Sequence, residues 1–144
     1  MVGLGRQHRN AIRHVDLIFP DGVAWKEDFI RCSSWLEAAL GYAGGTHNLQ
    51  DILDGVLRCE YQFWPGKQCA VITEIMVFPR KRVFNFFLAG GDLAELEAMT
   101  PTMESWAKFN RCDSAMLTAR RGWIRTFLAT RGYRVMWQTL AKEL

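Results

Sequence analysis

The chain is poor in the residues that announce most chemistries. Its three histidines, His8, His14 and His47, are isolated in sequence, with no His-Glu-x-x-His spacing, so no metal ligands are expected. The four cysteines, Cys32, Cys59, Cys69 and Cys112, form no Cys-x-x-Cys pair and read as reduced thiols in a cytosolic setting, mostly core. No serine or cysteine occupies a nucleophile elbow, which leaves hydrolase chemistry nothing to stand on. No apolar run reaches membrane-spanning length, and Met1-Val2-Gly3-Leu4-Gly5-Arg6 lacks the apolar stretch of a secretion signal. Repeats and low-complexity segments are missing too. A net charge of +3, with basic residues spread along the chain, does not indicate nucleic acid as a partner.

What is present suits one compact domain, since 144 residues with 49% hydrophobic content can bury a sizeable core. Residues 1–12 mix glycine, arginine, histidine and asparagine without periodicity and read as a loose arm; residues 13–144 read as the single domain. The chain is organised around residues 68–92. There, two stretches rich in β-branched and aromatic residues flank a Pro79-Arg80-Lys81 turn, as in a long β-hairpin. The second stretch ends in Ala89-Gly90-Gly91-Asp92, where the apolar period changes from two to three or four, so a strand feeds a helix through glycines. That junction is the place where an anion could be held.

Before the hairpin, a short strand is expected over residues 14–19. A helix follows with Phe29, Cys32, Leu36, Ala39 and Leu40 inward, then a second helix through Leu49, Ile52, Leu53, Val56 and Leu57. Asn48 and Asp51 are placed to form a capping box for the second helix. Alternation over residues 59–64, closed by Pro65-Gly66, predicts a strand that completes a three-strand meander. After the glycines, Leu93, Leu96, Met99, Met103 and Trp106 trace a helix that Thr100-Pro101 should kink or divide. A brief strand over 114–118, a helix over 122–130 stopped by Gly132, and a last strand over 133–140 finish the chain. This order predicts an α/β (α+β) fold: a mixed, mainly antiparallel sheet of about six to seven strands with helices on both faces.

This element order, with the glycine junction after the longest hairpin and Arg131-Gly132-Tyr133 after the final helix, resembles the GNAT (N-acetyltransferase) superfamily over residues 13–142. Trp64-Pro65-Gly66, Thr73-Glu74-Ile75, Pro79-Arg80-Lys81-Arg82, Leu88-Ala89-Gly90-Gly91-Asp92-Leu93 and Arg120-Arg121-Gly122-Trp123 look more narrowly like small GNAT-like proteins of tailed phages and prophages. The resemblance implies binding of an acyl-coenzyme A such as acetyl-CoA and acyl transfer to an amine. Fold alone does not fix function.

Carried over position by position, the resemblance places the cofactor pyrophosphate at Ala89, Gly90 and Gly91. The family's longer basic loop is reduced here to these residues and Asp92, with no arginine. Asp92 and Glu95 have capping-box spacing and could occupy the helix-start amides themselves. The family's tyrosine acid falls at Leu128, next to Phe127. Glu74 is the candidate base, facing Asn85 in a simple hairpin register, with Glu60 a second candidate; the competing reading is a solvated strand residue balanced by Arg82 or Lys81. Arg121 and Arg125, four apart on an expected helix, could reach an outer phosphate or simply form a solvated face. Trp64 and Trp137 could sit at a partner surface.

Two functions follow as expectations. One is an acyl-CoA-dependent N-acyltransferase with a degenerate cofactor loop. The other is a non-catalytic GNAT-shaped phage virion, connector or host-interaction protein, a pseudoenzyme working by protein contact, in the host cytoplasm or in the virion and open to homo-oligomerisation.

Overall fold

The computed structural model describes residues 16–144. The expected arm, and residues 14–15 of the first expected strand, lie outside that range, and residues 16–19 form no strand. The elements in order are helix α1 (Lys26–Leu40), helix α2 (Leu49–Leu57), strands β1 (Tyr61–Pro65), β2 (Cys69–Phe78) and β3 (Lys81–Gly91), helix α3 (Leu93–Phe109) and strand β4 (Ser114–Leu117). A 3₁₀ turn at Arg121–Arg125 and a single-turn helix α4 (Phe127–Thr130) follow. The sheet order is β1-β2-β3-β4, antiparallel except for the parallel β3–β4 pair.

The hairpin is the expected one, with Phe78 opposite Lys81 across Pro79-Arg80 and Glu74 opposite Asn85. Its ladder carries one irregularity: Ile72 faces Leu88 and Thr73 faces Phe86, so Phe87 is an extra residue with no opposite number. The bulge resets alternation, so Phe84 and Phe86 join the core under α3 while Leu88 turns to the core under α1 and α2. That second core gathers Phe29, Cys32, Leu36, Ile52 and Leu53 against Ala70 and Ile72. Helices thus cover both faces, as expected.

Asn48 caps α2 with the full capping box, its side chain taking the Asp51 amide and Asp51 taking the Asn48 amide. Three expectations are corrected. α3 is not divided at Thr100-Pro101 but is one helix through Pro101, because Leu96, Met103 and Ala107 bury a stripe against the sheet; that burial outweighs the ~3 kcal/mol an interior proline costs. The helix expected over 122–130 is instead a 3₁₀ turn and one α-turn, broken at Thr126, whose extended backbone and hydroxyl start the second piece. The strand expected over 133–140 does not form, and the described sheet has four strands rather than six or seven. Val135, Met136 and Trp137 are 62–65% exposed. Their β propensity fits a strand, but a strand exists only through a neighbour's ladder.

Candidate functional site

The strand-to-helix junction sits where two strands separate. β4 pairs with β3 only from Val83 to Phe86, so residues 87–91 of β3 run on with no strand on that side. Both glycines of the junction are required by close packing. A Cβ on Gly90 would stand 2.5 Å from the Trp35 carbonyl oxygen of α1; one on Gly91, whose φ is +104°, would stand 2.3 Å from the Gln68 carbonyl oxygen. Ala89 is buried in the α3 core. These three positions bring β3 tightly under α1 and against β2, and what they deliver to the surface is the start of α3.

The helix start is not closed as the Asp92/Glu95 spacing suggests. Asp92 caps the helix by accepting the Glu95 amide at 2.9 Å, but Glu95 does not return the bond. Its carboxylate reaches instead to the β1–β2 turn and accepts the amides of Lys67 at 2.5 Å and Gln68 at 2.8 Å. Those two amides, Gln68 first, hold the Glu95 carboxyl below the ordinary carboxylate range. Among the described residues, the first-turn amides of Leu93 and Ala94 have no partner. A cleft of about 530 Å³ opens where α1, the β1–β2 turn and α3 meet, lined by Asp28, Arg31, Pro65, Gly66, Lys67, Glu95 and Met99. Arg31 is committed within it, donating to Asp28 at 3.0 Å and to the Lys67 carbonyl at 3.0 Å.

The polar chemistry lies on the face covered by α1 and α2, in one row across the sheet. Tyr61 stands opposite Glu74, Glu74 opposite Asn85, and Asn85 opposite Met116. Asn85 Nδ2 donates to Glu74 Oε1 at 2.8 Å, which fixes the amide's orientation and leaves Asn85 Oδ1 buried without a partner. A buried acceptor left unmade costs roughly 1–3 kcal/mol, so a ligand N–H arriving there would be favoured. Glu74 is therefore held by an amide, not balanced by Arg82 or Lys81; Arg82 alternates to the opposite face, where it stands near Cys112. Glu60 is solvent-facing and ion-paired with Arg58 at 3.0 Å, which removes it from the row.

Two residues complete this corner that the sequence did not single out as functional. The Tyr61 ring crosses from β1 to the bulge, packing 5.6 Å from the Phe87 ring, and fits only because Gly55 of α2 has no side chain, a Cβ there coming 2.2 Å from the ring. Tyr61 Oη meets His47 Nε2 at 3.3 Å, and His47 Nδ1 meets Thr46 Oγ1 at 2.7 Å. The imidazole sits edge-on to Phe87 at 5.1 Å. The sequence signal was faint: His47 directly precedes the Asn48 cap, and Tyr61 alternates in phase with Phe63.

On the opposite face Arg82 Nε is buried without a partner, and Trp64 Nε1 donates to Thr73 Oγ1, which donates to Gln62 Oε1. The gap beside the end of β4 is apolar, about 20 Å³, lined among others by Phe86, Ala89, Leu117, Phe127 and Leu128, so it holds at most about one water. Leu128 is 6% exposed there. Tyr133 donates its hydroxyl to Glu104 at 2.9 Å and Glu104 also pairs with Arg131; burial, then that bond, raises the Tyr133 pKa. Arg121 and Arg125 are exposed and do not share a face, because four residues in a 3₁₀ turn advance by about one third of a revolution beyond a full turn. All four cysteines are free thiols, with Cys69 pushed up to about 12 by burial and the nearby Glu95. No cluster of metal-ligating side chains occurs among the described residues, and none of their helices is long and apolar enough to cross a membrane.

No protein-family model and no curated protein matches the sequence. Solved structures do match in shape. A probable acetyltransferase superimposes with TM-score 0.62 at 8% identity, over 85% of this chain and 93% of that one. A Trypanosoma brucei acetyltransferase gives 0.54 at 15% identity, over 78% and 94%. A tetramutant of a Bacillus halodurans protein gives 0.58 at 14% identity, over 83% and 94%. At such identities the likeness is one of fold: the chain shares its mixed α+β fold with these three structures, two of them described as acetyltransferases.

Proposed function

We propose that this chain binds an acyl-coenzyme A, acetyl-CoA in the simplest case, and transfers the acyl group to an amine. The observation that carries this reading is the parting of β3 from β4 after Phe86, directly upstream of a helix start whose Leu93 and Ala94 amides have no partner. An unpaired strand edge offers backbone groups to an amide-containing arm, and free first-turn amides suit a phosphate. Residues 87–91 would hold the arm and residues 91–94 the pyrophosphate. Arg121 and Arg125, on separate sides of the 3₁₀ turn, supply at most one outer contact. The bound acyl donor supplies an activated thioester. Glu74, oriented by Asn85, accepts a proton from the amine, and Asn85 Oδ1 accepts a second N–H from it. Aromatic Tyr61 and Phe87 keep water from that corner.

The direct test is thermal stabilisation by acetyl-CoA. Ligand at about 100 times its Kd should stabilise the fold by about 2.7 kcal/mol, read as a rise in Tm of several degrees. An intact fold with no shift at millimolar acetyl-CoA would remove the cofactor reading.

A second reading is favoured by the apolar filling at Phe127 and Leu128 and by the exposed Val135, Met136 and Trp137. In it the chain is a GNAT-shaped contact protein whose partner is another copy, a phage structural component or a host protein. A chain that shows no acetyl-CoA shift but sediments as a complex through its last residues would select it.

A further inference from the structure

We propose that the tip of the β2–β3 hairpin, together with the end of α3, docks this chain on an anionic lipid bilayer. The inference is independent of the acyl-transfer reading. It starts from Pro79-Arg80-Lys81-Arg82, a basic tip that the chemistry at the other end of the hairpin leaves unused. β1 pairs with β2 only as far as Glu74, and β4 pairs with β3 only from Val83. The β2–β3 ladder runs on to Phe78 and Lys81, so the hairpin projects past both neighbouring strands as a two-stranded ribbon.

The ribbon holds apolar side chains out in water. Val77 and Phe78 are 68% and 47% exposed. Val77 stands opposite Arg82 and Phe78 opposite Lys81, and alternation sends the two pairs to opposite faces, so the tip is apolar on both sides. α3 finishes at the same end of the molecule, because the chain that leaves it is tied to the base of the ribbon. There the Asp113 amide donates to the Arg82 carbonyl at 2.8 Å, and the Arg82 amide donates to Asp113 Oδ2 at 2.9 Å. Phe109, the last residue of α3, is 87% exposed. Large apolar side chains that protrude together from one end gain free energy on entering the boundary between lipid headgroups and acyl chains.

Charge selects the partner. Arg80, Lys81, Lys108 and Arg111 are exposed at this end, and none of them makes an ion pair or a side-chain hydrogen bond among the described residues. The nearby acids are already engaged: Asp113 by the Arg82 amide, and Glu60, at the start of β1, by Arg58. Lys108 and Arg111 also complement the negative end of the α3 dipole, which leaves their charged heads free for phosphates. An anionic bilayer meets both features at once, since the tip enters the headgroup layer while long cationic side chains reach the phosphates around it. A protein partner would need a hollow shaped to the tip, whereas lipids rearrange around it. β3 spans roughly 30 Å from Lys81 to Gly90, so docking by the tip leaves the strand-to-helix junction clear of the membrane.

The test is co-sedimentation of the full chain with vesicles of phosphatidylcholine alone and of phosphatidylcholine mixed with phosphatidylserine. We expect partitioning to the phosphatidylserine vesicles at least about tenfold above that to phosphatidylcholine, falling steeply as salt is raised to about 0.5 M. Arg80→Gln and Lys81→Gln should each lower it about fivefold. Phe78→Ser and Phe109→Ser should each lower it about tenfold. The Phe109 ring lies almost wholly outside the fold, so Phe109→Ser should keep the urea midpoint of the parent chain and separate docking from stability. Absence of binding, or equal binding to the two kinds of vesicle, overturns the proposal. Binding that the charge substitutions weaken but Phe78→Ser and Phe109→Ser leave unchanged also overturns it, because the surface is then a site for a water-soluble polyanion.

Discussion

Tyr61 and Tyr133 lie on opposite faces of the same sheet and show how one residue type serves two ends. Tyr61, under α2, meets the His47 ring and lies opposite Glu74, a carboxylate already engaged by Asn85. Tyr133, under α3 and next to Phe86, gives its hydrogen to Glu104, which Arg131 holds in turn. The first hydroxyl has a single partner, an imidazole nitrogen at 3.3 Å. The second is the end of a closed network that ties the chain after α4 to α3. The two faces also differ in what is left unsatisfied or filled: Asn85 Oδ1 is buried without a partner on the α1/α2 face, while the gap on the α3/α4 face is filled by Phe127 and Leu128.

If the α3/α4 face is packing alone, Leu128→Ala should cost about 3 kcal/mol in urea unfolding and leave acetyl-CoA affinity within a few-fold. A selective loss of affinity at unchanged stability would break the contrast between the faces. Tyr133→Phe should cost about 1.5 kcal/mol by removing the bond to Glu104 and leave acetyl-CoA affinity within a few-fold. An unchanged urea midpoint for Tyr133→Phe would show that this network adds nothing to the fold.

The smallest effect is expected at the junction between the faces. Glu95→Ala should cost about 1 kcal/mol at neutral pH, since two amides of the β1–β2 turn lose a partly exposed acceptor. Its folded-state pKa lies below the unfolded one, so the stability it adds is present above the ordinary carboxylate range and fades as pH falls through the folded value. The mutant and the parent chain should therefore converge in stability in acid, which paired urea titrations across pH 3 to 7 would read.

Much of this was legible in the sequence for local reasons. The Pro79-Arg80 turn fixes the hairpin register by chain geometry alone, and with it the Glu74–Asn85 pair. Asn48 and Asp51 cap α2 within one turn of chain. The misreadings came where a local signal needed a distant partner. Asp92 and Glu95 have the spacing of a capping box, yet Glu95 finds the amides of Lys67 and Gln68 nearer to hand, and nothing in the residues between them reports that approach. Residues 133–140 have the composition of a strand and lack a ladder, so no sheet hydrogen bonds stabilise them. His47 looked isolated because Tyr61 is fourteen residues away and reaches it only after α2 has folded over the sheet.

By itself, the sequence determined the periodicities, the turn chemistry and the hairpin register, because each depends on residues within a few positions of one another. The tertiary structure decided the continuity of α3 through Pro101, the number of paired strands, the turn of Glu95 away from the helix start, and the meeting of His47 and Tyr61. Each of those is a contact between segments far apart in the chain, set by which apolar faces are buried together, and burial is a property of the assembled fold.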